Sequence, residues 1–269
     1  MNRFVIYKNP YKDKDNIVSN AVYESLKSLG AEVSFFEDYK GDFSEDVMTV
    51  VLGGDGTILQ AIRETGFMLG PVIGVNLGKL GFLTEIEPDQ VKEAMSYLVK
   101  GDFTIEKRLL LEGSVNEGEK VRALNDVVLT RSGSLRICGF NIKVNGQPLA
   151  DYLADGMIVS TPTGSTGYNL SAGGPIASPA SELIILTPIC PHTLNHRSMI
   201  LSDRDEVVIE IPASKDGGEQ EMELSFDGNS KKTVRTGDVI RIKGSGARVS
   251  FAKLGKDSFL EILNKKMSE

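Results

Sequence analysis

The densest chemistry in this 269-residue chain lies in Gly53-Gly54-Asp55-Gly56-Thr57. This stretch follows the apolar run Met48 to Leu52 and precedes the helical pattern Ile58 to Arg63. The order predicts a strand, a tight turn and a helix N-terminus. Such a turn aims backbone N–H groups and the positive end of a helix dipole at one point, where a phosphate is stabilised. Glycines let the backbone approach that ligand without a Cβ in the way. A carboxylate is out of place in an anion site unless it meets a metal ion or accepts a proton. In phosphoryl transfer to an alcohol, an Asp takes the hydroxyl proton while Mg²⁺ and backbone donors neutralise the phosphate oxygens. The plainer alternative is a simple turn in which Asp55 caps the following helix. Other phosphate motifs fail on spacing: Gly74 to Lys79 falls one residue short of a P-loop, and no Gly-x-Gly-x-x-Gly follows the first strand.

A second dense stretch runs from Asp155 through Ser160-Thr161-Pro162-Thr163-Gly164-Ser165-Thr166-Gly167-Tyr168 and on to Ser171-Ala172-Gly173-Gly174-Pro175. Its hydroxyls and glycines suit hydrogen bonds to bases, riboses and diphosphates, with an ordinary polar loop as the alternative. A triad of Ser165, His192 and Asp155 fails on local detail, because the nucleophile elbow needs glycine where Thr163 stands. His192 and His196 are the only histidines and no carboxylates cluster at ligand spacing, so no His-based zinc site is expected.

These residues need elements to position them. Over the first hundred residues, apolar runs alternate with amphipathic segments, which predicts strands joined by helices in a mostly parallel sheet. The strands fall at Phe4 to Tyr7, Val33 to Phe36, Val47 to Leu52 and Val72 to Val75, and the helices at Asp13 to Leu29, Thr57 to Glu64 and Pro88 to Lys100. After Phe103, the alternating runs Lys107 to Val115, Arg122 to Thr130, Ile137 to Val144 and Met157 to Thr161 lack intervening helices. That is an antiparallel pattern. The Asn145-Gly146 pair predicts a tight hairpin turn. Further strands are expected at Leu183 to Leu186, Val207 to Ile211, Met222 to Phe226, Val239 to Ile242 and Val249 to Ala252, and Phe259 to Lys266 as a short helix or strand end. The boundary falls near Gly101 to Thr104, which gives an α/β domain over 1–103 and a β-rich domain over 104–252.

Composition narrows the partners. Apolar residues at 41% and charged residues at 25% suit a globular chain with a real core. A formal charge of -7, with no basic run beyond Lys231-Lys232 and Lys265-Lys266, offers nucleic acid no electrostatic footprint. No window approaches the length of a membrane span and no signal segment opens the chain. Cys138 and Cys190 are expected as buried free thiols in a reducing cytoplasm.

Taken together, the motifs resemble the NAD kinase family, enzymes that use ATP or polyphosphate to phosphorylate the adenosine 2′-hydroxyl of NAD. The resemblance rests on Gly53 to Thr57, Leu80-Gly81-Phe82-Leu83, Asn125-Asp126, Asp155-Gly156, Thr161 to Pro175, and Pro188-Ile189-Cys190-Pro191-His192-Thr193-Leu194 with Arg197. It implies a Rossmann-like α/β N-terminal domain and a β-sandwich-like C-terminal domain, with the segment 253–269 returning to the first. It also implies Asp55 as general base, with Gly53, Gly54, Gly56 and Thr57 on phosphate, a divalent metal such as Mg²⁺, and a homodimer or homotetramer. NAD contacts carried over are Asp55, Gly56, Phe82, Asn125 on adenine, Asp126 on ribose, and Asp155 at the nicotinamide end. Thr163, Ser165, Thr166, Gly167, Tyr168, Asn169, Leu170 and Ser171 fall around the adenosine, and Arg136, Cys190 and Asn229 at further contact positions. Two positions depart from the family pattern: Asp126 stands where Glu is usual, and Gly167 where Ala is usual. His192 is expected to be structural. The competing readings are a lipid kinase of the diacylglycerol or sphingosine type, through a similar Gly-Gly-Asp-Gly loop, and a dinucleotide sensor without turnover.

Overall fold

A computed structural model describes residues 1–67, 70–132, 137–192, 197–214, 216–255 and 258–268. The chain forms two units, Met1–Lys107 with Val249–Glu269, and Arg108–Arg248.

In the first unit, β1 (Arg3–Lys8), α1 (Ile17–Ser28), β2 (Glu32–Phe35), β3 (Val47–Gly53), α2 (Asp55–Glu64) and β4 (Val72–Asn76) alternate along the chain. The strands pair in parallel in the order β2, β1, β3, β4, and β5 (Thr84–Ile86) joins β4. α3 (Val91–Lys100) follows a 3-10 turn at Pro88–Gln90 and stops at Gly101, whose φ of 82° a side chain would oppose. The core is drawn from Phe4, Ile6, Met48, Val50, Leu52, Ile73 and Val75 of the strands and Val22, Leu26, Met95 and Leu98 of the helices. β3 is buried along its whole length, as a strand of a parallel sheet must be. Helix α1 starts four residues later than the apolar spacing predicts. Asp13 stays outside it, and its carboxylate accepts the N–H groups of Val18 (3.1 Å) and Ser19 (2.9 Å).

β6 (Thr104–Val115) leads into the second unit, followed by β7 (Val121–Ala123), β8 (Asp126–Arg131), β9 (Cys138–Val144), β10 (Gln147–Ala154) and β11 (Gly156–Ser160). Then come the short helix α4 (Tyr168–Ser171), β12 (Leu183–Ile189), β13 (Met199–Ser202), β14 (Glu206–Glu210), β15 (Glu221–Phe226), β16 (Asn229–Arg235) and β17 (Val239–Lys253). One antiparallel set runs β10, β9, β14, β17 and the other β13, β12, β11, β8, β15, β16. Their facing side chains, Phe140, Ile142, Val207 and Ile240 from one set and Val127, Leu129, Met157, Leu186 and Leu224 from the other, share one core. This is a β-sandwich. Asn145 and Gly146, at φ 50° and 78°, make the hairpin turn the sequence predicts.

Two strand expectations are corrected. Val239 to Ile242 and Val249 to Ala252 are one strand, and Gly244 between them permits close backbone approach: a Cβ on it would lie 2.2 Å from the Asp203 carbonyl oxygen. The run Arg122 to Thr130 is instead broken at Leu124-Asn125, whose N–H groups bond to a side chain rather than a strand. From Val249 onward β17 belongs to the first unit, where Phe251 pairs with Val72. Lys253 pairs with Glu85, and α5 (Phe259–Met267) closes the chain, capped by Ser258 and Glu261. The C-terminal segment therefore returns to the N-terminal domain.

Candidate active site

Asp55 is the first residue of α2, and the helix N-cap is Gly54, with no side-chain capping bond. The simple capping role is therefore absent. Its two carboxylate oxygens instead accept the N–H groups of Phe82 (2.8 Å) and Leu83 (3.0 Å). That grip needs Gly81, where a Cβ would lie 2.1 Å from Asp55 Oδ1. Gly53 is as constrained, since a Cβ there would sit 2.3 Å from Thr57 Oγ1, and Asn9 Nδ2 donates to that hydroxyl at 3.3 Å. Gly56 is exposed, and a Cβ on it would meet nothing within 4 Å. Phe82 lies 6.0 Å, centroid to centroid, from Phe259, with the Lys266 ammonium 4.7 Å above its ring.

One residue of this loop was missed in the sequence. The Lys12 ammonium lies 3.1 Å from a Cβ built on Gly54 and 3.2 Å from one built on Gly78. It forms no ion pair or side-chain hydrogen bond among the described residues. Its turn is fixed at both ends, by Asn9 reaching Thr57 and by Asp13 on α1. A lysine five residues before the first helix carries no motif that would flag it.

In the second unit Asn125 and Asp126 sit where β8 begins. The Asp227 carboxylate accepts three successive N–H groups, from Leu124 (2.8 Å), Asn125 (2.7 Å) and Asp126 (3.2 Å). Asn125 Oδ1 is buried and has no donor among the described residues. The Asp126 side chain is buried, and burial first, then the Asp227 charge, push its carboxyl up to about 7. No motif announced Asp227, because its partners lie about a hundred residues away.

The hydroxyl-rich stretch divides by exposure. Ser165 is fully buried, and its Oγ accepts the Ala177 N–H at 3.0 Å and donates to the Ala177 carbonyl at 3.3 Å, which leaves no nucleophile. Asn169 is buried too, donating to Ser165 and Pro175 carbonyls and accepting from Thr187 at 2.7 Å. Thr163 accepts from Arg108 at 3.2 Å, and Thr166 Oγ1 bonds back to the Thr163 carbonyl at 3.4 Å. Tyr168, Leu170 and Ser171 are exposed, so α4 alternates buried Asn169 with outward side chains. Gly167 sits beside Asn125: a methyl there would lie 3.8 Å from Asn125 Nδ2.

Asp155 receives Arg131 Nη1 at 3.1 Å, with His192 Nε2 at 3.7 Å. Asn229 follows the Asp227-Gly228 turn and donates to the Asp227 carbonyl at 3.4 Å. Cys138 is buried, but Cys190 is exposed, against expectation: it lies one residue past β12 with φ 45°, where the chain turns out of the sheet. Neither cysteine is in a disulfide. Arg136 lies outside the described residues.

Residues 6–103 match the ATP-NAD kinase N-terminal domain and residues 124–254 the ATP-NAD kinase C-terminal domain. The chain belongs to the NAD kinase family. The NAD kinase of Lachnoclostridium phytofermentans is 43% identical, with 100% of both chains covered. That of Lachnospira eligens is 42% identical over 99% of this chain and 100% of its own. Among solved structures, yeast NADH kinase complexed with NADH superposes with a TM-score of 0.85 at 25% identity, covering 100% of this chain and 88% of that one. An NAD kinase from Archaeoglobus fulgidus in complex with ATP gives 0.81 at 27% identity with 100% of each covered. The NAD kinase N-terminal match contains Asp55 and its loop, and the C-terminal match contains Asn125 to Ser171 and Asp227.

Proposed function

We propose that this chain is an NAD kinase that transfers the γ-phosphoryl group of ATP to the adenosine 2′-hydroxyl of NAD, giving NADP. The observation that carries the reading is the full-length likeness to NAD kinases in a chain whose Asp55 carboxylate stands at the N-terminus of α2 in an intact Gly-Gly-Asp-Gly-Thr loop. Lipid phosphorylation and binding without turnover draw no support from these features.

The 2′-oxygen attacks the γ-phosphorus, its proton passes to the Asp55 carboxylate, the bond to the β,γ-bridging oxygen breaks and ADP leaves. Each Asp55 oxygen accepts one backbone N–H and keeps a lone pair for that proton. Gly53, Gly54, Gly56 and Thr57 form the phosphate cradle, and the unpartnered Lys12 ammonium holds donor phosphate. Asn125 Oδ1 accepts the adenine amino group, Asp126 the ribose hydroxyl, and the exposed Tyr168 ring lies against the ribose. Thr166, Gly167, Leu170 and Ser171 surround the adenosine. Thr163, Ser165 and Asn169, whose side chains are tied internally, shape that wall. Asp155 takes the nicotinamide end, with Phe82, Cys190, Asn229 and Arg136 as further contacts.

Mg²⁺ bound with ATP would neutralise phosphate charge. Among the described residues no three His, Cys, Asp or Glu side chains converge. The donor set fits a hard cation carried mainly by phosphates and water, with Asp55 as the oxygen this loop offers. The working enzyme is a homodimer or homotetramer of the cytoplasm. Two cysteines outside any disulfide fit a reducing compartment, and no described helix is long and apolar enough to cross a membrane.

Purified protein incubated with NAD, Mg²⁺ and ATP should form NADP, read by an NADP-specific dehydrogenase. No product with either ATP or polyphosphate overturns the reading. Asp55→Asn should lower kcat by about 100-fold or more while NAD still binds, because general base catalysis contributes about 10²–10⁴. Light scattering of the active protein gives the subunit number.

A further inference from the structure

Asp227 lies outside every chemical role assigned above, yet it organises the residues that carry one. It follows β15 at φ 50°, with Gly228 at φ 69°, in the two-residue turn that joins β15 to β16. From there its carboxylate gathers the N–H groups of Leu124, Asn125 and Asp126 at 2.8, 2.7 and 3.2 Å. Its own N–H donates to the Asp126 carbonyl at 3.0 Å. The carbonyl side of the same corner is held separately. The Asn125 oxygen accepts the Thr161 N–H at 2.8 Å and the Ser160 hydroxyl at 3.2 Å, and the Leu124 oxygen accepts the Thr161 hydroxyl at 2.6 Å. Gly164 allows this packing, since a Cβ on it would lie 2.2 Å from the Asn125 oxygen.

The corner is thus clamped on both faces of its backbone, and the clamp fixes where the Asn125 side chain stands. Its Oδ1 is left buried with no donor among the described residues, an arrangement that costs about 1–3 kcal/mol until a ligand N–H arrives. Only a carboxylate suits the N–H face. It is acceptor-only with about four lone-pair sites, whereas an amide turns an N–H₂ toward one of the three donors.

We propose that Asp227 is a positioning residue for the dinucleotide: it holds the Leu124–Asn125–Asp126 corner in the shape that presents Asn125 Oδ1 and the Asp126 carboxyl to the adenosine of NAD. The proposal rests on the assignment of Asn125 and Asp126 to NAD. The charge of the part-exposed Asp227 also raises the Asp126 carboxyl, second to the burial of Asp126 itself. This supplies a readout that loss of folding would not imitate.

The test uses the full-length enzyme and Asp227→Asn, which tolerates a positive φ but loses the charge and one acceptor. KM for NAD and for ATP, kcat and Tm are measured from pH 5.5 to 8.5. KM for NAD should rise about tenfold or more while KM for ATP changes by less than about threefold, given the worth of charge-assisted hydrogen bonds. In the wild type KM for NAD should climb as pH falls below about 7, and in Asp227→Asn that limb should move to lower pH. Asp227→Ala, strained at φ 50° and without an acceptor, should be worse in KM for NAD. If it fails to fold, Asp227→Asn carries the test. An unchanged KM for NAD in Asp227→Asn overturns the proposal, as does a parallel loss in both KM values with the pH limb in place. Asn125→Ala separates the two levels: if it leaves KM for NAD unchanged, the assignment of Asn125 itself fails.

Discussion

At the scale of single residues, the Asp55 loop works through what its glycines leave out. Gly81→Ala puts a methyl 2.1 Å from Asp55 Oδ1, so the carboxylate must leave the Phe82 and Leu83 N–H groups. We expect kcat to fall at least about tenfold, because a displacement of about 1 Å at a reacting group costs up to about 100-fold. Near-wild-type kcat in a folded Gly81→Ala would refute that geometry. Gly56→Ala should split stability from activity. Its Cβ meets nothing in the protein, and alanine in a helix gains about 0.5–1 kcal/mol over glycine, so Tm should hold or rise. The same methyl stands where phosphate approaches, so KM for ATP should rise. Lys12→Ala should likewise raise KM for ATP about tenfold with Tm unchanged, since the ammonium binds nothing within the described protein; an unaltered KM removes it from the cradle.

At the scale of elements, the positions of helix starts and strand breaks were less legible than the elements themselves. The strand, turn and helix around Asp55 could be read because apolar Met48 to Leu52, the glycines and the following helical spacing are all local. The Asn145-Gly146 hairpin could be read for the same reason. The break at Leu124-Asn125 could not, because Asp227, which causes it, is about a hundred residues away. β16, with the polar run Ser230-Lys231-Lys232-Thr233, offers no apolar alternation and was missed for that reason. The start of α1 was misread because Asp13 caps the helix from outside. Burial alone would raise the Asp13 carboxyl, but hydrogen bonds from Ser19 and Val18 and the Lys8 charge hold it below the usual range. A carboxyl held low stabilises the fold above its unfolded-state value and loses that contribution as pH falls through the folded one. Asp13→Ala should therefore cost about 1 kcal/mol in urea unfolding at pH 7, and the gap to wild type should narrow at acid pH. A gap independent of pH would remove the charge from the capping account. Because the same turn carries Lys12, this variant should also raise KM for ATP.

At the scale of the whole molecule, the binding corner and the stability of the fold pull in opposite directions. Asp126 is buried beside a second carboxylate in a chain that already carries a formal charge of -7. Its carboxyl sits at about 7 against an ordinary 3.8, so between those values the folded protein holds a proton that the unfolded chain has lost. The contribution to stability is complete below about 3.8, decreases as pH rises, and is gone above about 7, with a ceiling of about 4 kcal/mol. Asp126→Asn keeps the size and removes the proton. Unfolding by urea should show the variant gaining on wild type from pH 5 to about 7 and levelling off above that. The same substitution should weaken NAD binding, since the amide can turn its N–H₂ toward the ribose hydroxyl the carboxylate accepts. A variant more stable at pH 8 yet poorer in KM for NAD is the expected signature of a buried acid kept for binding rather than for folding. A flat stability difference across that range would mean that Asp126 is ionised throughout.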